Sequence, residues 1–67
     1  MNLDKLKEEL NDLQIKKAKL DVVITNLKDS YSKYEYEMLK EQSKIMGAYI
    51  KILGKRIDYV LLIRPSI

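Results

Sequence analysis

Residues 3–52 read LDKLKEELNDLQIKKAKLDVVITNLKDSYSKYEYEMLKEQSKIMGAYIKI, with no proline and with the first glycine at Gly47. In this stretch Leu3, Leu6, Leu10, Leu13, Leu20, Ile24, Leu27, Tyr31, Tyr34, Met38, Ile45, Ala48 and Ile52 recur at alternating steps of three and four, one unbroken a/d register. Lys17 at an a position and Glu41 at a d position interrupt it. Such spacing lays one apolar stripe along a helix, and a stripe of that kind is buried against another helix. The expected fold is therefore all-α. It is a long amphipathic heptad helix over about 3–53, or on to 63, that self-associates as a coiled coil. The alternative is a helical hairpin with its turn at 28–32 that dimerises into a four-helix bundle.

The ends and joints carry their own signals. Asn2 and Asp4 suit a helix start, one as a cap and the other against the dipole. Ser32-Lys33-Tyr34-Glu35 has the spacing of a capping box, so a second helix can begin there. Against this, the a/d phase runs through Lys28–Ser32 without a skip and without Gly or Pro. Val22, Val23, Ile24 and Thr25 are a β-branched run that weakens helix propensity, which the surrounding periodicity overrides. Beyond the seam, Leu39, Met46, Tyr49, Ile50, Leu53 and Ile57 widen the apolar face, as expected of a helix with more than one neighbour. Gly47 and Gly54, seven apart, permit close helix approach. Residues 57–63 either finish the helix or form a short strand, and Pro65 disfavours helix at Arg64.

A continuous rod of ~50 residues at 1.5 Å each is ~75 Å long. Paired in parallel it sets Lys17 on Lys17 and Glu41 on Glu41, which costs stability. Antiparallel pairing about Thr25–Asn26 places Lys17 over Tyr34 and Glu41 on Leu10. The flanking pairs Glu9–Lys44, Lys16–Glu37 and Asp21–Lys28 are then attractive, each worth only ~0.2–1 kcal/mol. The hairpin instead joins Leu13 to Ile45, Leu20 to Met38 and Lys17 to Glu41, but confronts Lys16 with Lys44 and Asp21 with Glu35. It leaves an outer apolar surface, so both arrangements predict self-association.

Sixty-seven residues make one small domain, read as a heptad region over 3–48 overlapping a basic and apolar C-terminal segment over 45–63. A chain of this size buries little of its surface and usually needs a staple or a partner. With no Cys and no His, disulfides, thiolate metal sites and histidine general bases are excluded. The i,i+4 carboxylates Glu8/Asp12 and Glu37/Glu41 are read as solvated helix faces rather than metal or acid–base pairs. Ser30, Ser32, Ser43 and Thr25 have no activating base, and there is no glycine-rich phosphate loop. The expectation is a protein without catalytic residues, metal or cofactor.

The net charge of +3 is uneven: eight Lys oppose nine acids up to Glu41, whereas four Lys or Arg in excess follow from Gln42 onward. Lys51, Lys55, Arg56 and Arg64, interleaved with Tyr49 and Tyr59, are candidate anion contacts, and their plainer reading is a solubilising rim. Tyr31 and Tyr34, in the seam, are read as core packing; the alternative is that Tyr31, Tyr34 and Tyr36 mark a looser patch that docks a partner. Ile50, Leu53, Ile57, Val60 and Leu61 are the candidate partner-docking residues.

No stretch has the ~20 mostly apolar residues of a membrane span, and Met1–Glu9 lacks the layout of a secretory signal. The start at Met1 and the Lys-, Ile-, Asn- and Tyr-rich composition suit a complete small bacterial or phage reading frame. The expected place is the cytoplasm or a phage particle. The expected function is non-enzymatic: a small accessory, scaffolding or inhibitory protein that binds itself, as a dimer, and another protein by helix docking. A small basic nucleic-acid-binding dimer is the alternative, and a peripheral membrane protein a weaker one.

Overall fold

A computed structural model describes residues 2–63. They are all-α: α1 spans Leu3–Asn26, a single 3-10 turn spans Lys28–Ser30, and α2 spans Lys33–Ile63. The heptad helix expected over 3–53 is thus interrupted at 27–32, and the two helices lie antiparallel, side by side. The long dimension is 54 Å, short of a continuous rod. Residues 57–63 finish α2; the Arg64 and Pro65 readings lie outside the described residues.

The interruption is built by side-chain capping, without glycine and without a positive φ. Asn2 opens α1 by accepting from the backbone N–H of Asp4 at 2.9 Å and of Lys5 at 3.3 Å. At the far end the Leu27 N–H returns to the Val23 carbonyl at 2.9 Å, and the Ser30 N–H closes the 3-10 turn on Leu27 at 3.0 Å. Tyr31 is then extended (φ −121°, ψ 151°), which redirects the chain. Ser32 opens α2 through the capping box: its Oγ accepts from the Glu35 N–H at 3.2 Å, and Glu35 Oε1 accepts from the Ser32 N–H at 3.3 Å. Two orphan donors are satisfied reciprocally, so a helix restarts where one had just ended.

The core sits where the two termini meet. Leu6, Leu53, Ile57 and Val60 are buried together, and Leu3, Leu10 and Leu13 pack on them. Further along, Leu20 and Ile24 of α1 and Tyr36, Leu39, Met46 and Ile50 of α2 are half-buried. The inward residues of α2 therefore run Tyr36, Leu39, Ser43, Met46, Ile50, Leu53, Ile57 and Val60, again at steps of three and four. This is a second heptad stripe, offset from the one that continues the α1 phase.

Gly54 lies in α2 with nothing within 4 Å of where a Cβ would stand. Gly54→Ala should therefore gain ~1 kcal/mol of helix propensity with no steric cost, raising the thermal midpoint by roughly 4–8 °C. Thermal unfolding followed by circular dichroism checks this; an unchanged or lower midpoint contradicts the open space. Gly47 differs, because a Cβ there would meet the Lys17 Cε at 3.3 Å. Its lack of a side chain makes room for the Lys17 stem to lie across α2.

A candidate docking face on α2

Between the helices lies a polar clasp. Lys17 Nζ donates to Asp21 Oδ2 at 2.7 Å, one turn along α1, while the Ser43 hydroxyl of α2 donates to Asp21 Oδ1. Ser43 is buried although it is polar, and Asp21 supplies its acceptor. Among the described residues no buried side-chain polar atom lacks a partner. Lys17 thus pairs with Asp21 on its own helix rather than with Glu41, the partner expected in a hairpin, and Glu41 is exposed. A second bridge joins the helices nearer the termini, where the Tyr49 hydroxyl donates to Glu9.

The two bridges have opposite pH signatures. The Lys17 ammonium and the Ser43 hydroxyl hold the Asp21 carboxyl below its ordinary 3.8, because both stabilise the carboxylate. A lowered pKa adds stability that is present above about 3.8 and is lost as pH falls through the folded value. The carboxylate of Glu9 raises the Tyr49 phenol above its ordinary 10.0, by accepting a hydrogen bond from the protonated hydroxyl and repelling the phenolate. That contribution is present below about 10.0 and is lost as pH rises beyond it. Thermal midpoints should fall below pH 3.8, and Asp21→Asn should remove part of that fall. An acid dependence identical in the variant contradicts the clasp.

The outer side of α2 is where the chain is unfinished. Met38, Ile45, Ile52 and Tyr59 recur every seven residues, and each is at least half exposed, as are Tyr34 and Leu62. Glu41, Ala48 and Lys55 complete the row and are exposed as well. The row borders a groove of about 520 Å³ formed with α1 and lined by Leu13, Met38, Glu41, Gln42, Ile45, Met46 and Tyr49. On its other flank Lys44, Lys51 and Asp58 are exposed.

The residues expected to form one seam are thus divided. Leu3, Leu6, Leu10, Leu13, Leu20 and Ile24 turn towards α2, whereas Tyr34, Met38, Ile45, Ala48 and Ile52 turn outwards; Leu27 is exposed at the turn and Tyr31 is half-buried. The residues expected to dock a partner also divide. Leu53, Ile57 and Val60 are buried in the chain's own core, because α1 folds back over them, and Ile50 is half-buried. They are closed to a partner while the helices stay paired. Leu61 is exposed beside Leu62 and Ile63, an apolar end to α2.

Of the anion candidates, Lys51 and Lys55 are exposed. Arg56 is half-buried and its charge acts on the Tyr49 hydroxyl. Arg64 lies outside the described residues. Tyr36, expected in the alternative reading to mark a docking patch, is half-buried with Lys40 and Lys28 ammoniums 5.2 and 5.9 Å from its ring. No helix among the described residues is long and apolar enough to cross a membrane, and none of their acidic residues cluster as a metal site would require.

A short helix pair with an unpartnered apolar row, flanked by charge, has the make-up of a small all-α binding protein. The chain belongs to the Sequestin family, which it matches over residues 2–59. The family name agrees with a small binding or sequestering protein. No curated protein and no solved structure matches the chain.

Proposed function

We propose that this chain acts without catalysis, by binding and withholding another protein, and that it does so as a self-associated helical bundle in the cytoplasm or a phage particle. The observation that carries this is the outward row of α2. Large apolar residues at heptad spacing, each at least half exposed, are what one helix offers another. Two helix pairs joined along that row make a four-helix bundle. The family name supports the withholding role. The partner surface we assign is the apolar end of α2 beside that row, where Leu61 and Ile63 are exposed. Each such side chain contributes ~1.5–3 kcal/mol when fully buried, enough for a few of them to sustain a complex after association entropy is subtracted.

A second reading, nucleic-acid binding, draws on the exposed Lys44, Lys51 and Lys55 along one side of α2. Recovery of the partner from the native host by the untagged protein, at low and at high salt, separates the two. The expected result is a protein that stays bound in high salt and is lost on Leu61→Asp, a change at a side chain 51% exposed and outside the outward row. Recovery of nucleic acid, released by salt and by Lys51→Ala with Lys55→Ala, overturns the protein reading.

A further inference from the structure

We infer that the occupant of the outward α2 row is a second copy of this chain, its α2 running antiparallel about an axis at Ile50, with Met38 of each chain opposite Leu62 of the other. This rests on the self-association proposed above and adds its orientation and register. The row carries two polar interruptions, Glu41 and Lys55, both exposed. They decide between orientations. In a parallel pair Glu41 meets Glu41 and Lys55 meets Lys55 in the seam, and like charges there are costly.

Antiparallel pairing about Ile50 removes both conflicts. Glu41 then faces Tyr59, whose hydroxyl can donate to the carboxylate. Lys55 faces Ile45, and its stem lies along the apolar surface while the ammonium reaches the rim. Ala48 meets Ile52, small against large, as interdigitating layers require. On the flank Lys44 meets Asp58, which the two-fold axis makes twice, while Lys51 faces its own copy once. The overlap, Met38 to Leu62, is 25 residues or ~36 Å of helix.

Neighbouring registers are worse. Moving the axis one half-heptad towards the N-terminus, between Met46 and Gly47, sets Lys44 against Lys51 and Glu37 against Asp58, each twice. Moving it to Ser43 sets Lys44 on its own copy and pairs Glu37 with Lys51 twice, the same flank balance, but carries Tyr59 past the start of the opposite α2. Charge therefore excludes the register between Met46 and Gly47, and overlap of the apolar row selects Ile50 over Ser43; each exposed pair is individually weak.

The chain has no cysteine, which gives a clean background for crosslinking. Met38→Cys and Leu62→Cys are made as separate proteins, both at exposed sites, and oxidised alone and mixed. A covalent dimer from the mixture, with little from either protein alone, is the expected outcome. Crosslinking of each protein with itself shows parallel pairing and overturns the inference. A dimer by sedimentation with no crosslink in any sample overturns the register and leaves self-association standing. A monomer by sedimentation removes both. As an independent check, Lys44→Glu should weaken the dimer severalfold, and adding Asp58→Lys should restore it; equal weakening in the single and double variants also counts against this register.

Discussion

Leu53→Ala should unfold most of the chain. Leu53 has no exposed surface and sits where Leu6, Ile57 and Val60 converge. Truncating a buried leucine costs ~2–5 kcal/mol, through lost transfer energy and the cavity left behind. A chain of this length is expected to hold roughly 3–10 kcal/mol in total. One substitution therefore removes a large part of it. Short isolated helices are marginal in water, so loss of the core should reduce helicity and not merely separate the helices. Circular dichroism with urea titration reads the effect. Ile52→Ala on the outer row is the control, since it leaves the core intact. Equal losses from the two variants would show that Leu53 is not at the centre of the fold.

The second large effect is expected from placing Asp at both Ile45 and Ile52. These positions are 60% and 52% exposed in the single chain, so the helix pair itself loses little. In a dimer joined along the outer row, four carboxylates enter the apolar seam. The two at position 45 face Lys55, whereas the two at position 52 face Ala48 without a partner, and removing an unpartnered charge from water costs several kcal/mol in a closed interface. Even a strongly discounted penalty weakens the dimer by roughly a thousandfold or more. The expected result is a monomer whose helicity at high protein concentration is close to that of the unmodified chain. Unchanged association would exclude this row as the joining surface.

Much of the architecture was legible in the residues. The α1 face was readable because α1 carries one dominant stripe, from Leu3 to Ile24. The capping box at Ser32–Glu35 was readable because its chemistry is local. The inward face of α2 was harder to find, for a physical reason. α2 bears two heptad stripes, and the outward one happens to continue the α1 phase across the turn. Periodicity reports that both stripes are apolar; it does not report which of them meets α1. That choice depends on the geometry of the turn, where extended Tyr31 resets the phase. Leu53, Ile57 and Val60 were accordingly expected on a docking surface and lie instead in the core.

The partner of Lys17 was obscured in the same way. Glu41 is the natural choice in the hairpin register set by one stripe. With the register shifted, Ser43 and not Glu41 comes opposite, and Asp21 joins Lys17 and Ser43. A visible clue was the i,i+4 spacing of Lys17 and Asp21. The Glu9–Tyr49 bridge had no comparable local signal, since forty residues separate its members.

Sedimentation equilibrium of the unmodified chain at tens of micromolar tests most directly whether the outer row of α2 is covered by another copy. A mass of at least twice the 7.9 kDa chain is expected, falling to one chain in the Ile45→Asp, Ile52→Asp variant. A well-ordered 7.9 kDa monomer across that range, with its apolar row left open to water, would contradict it.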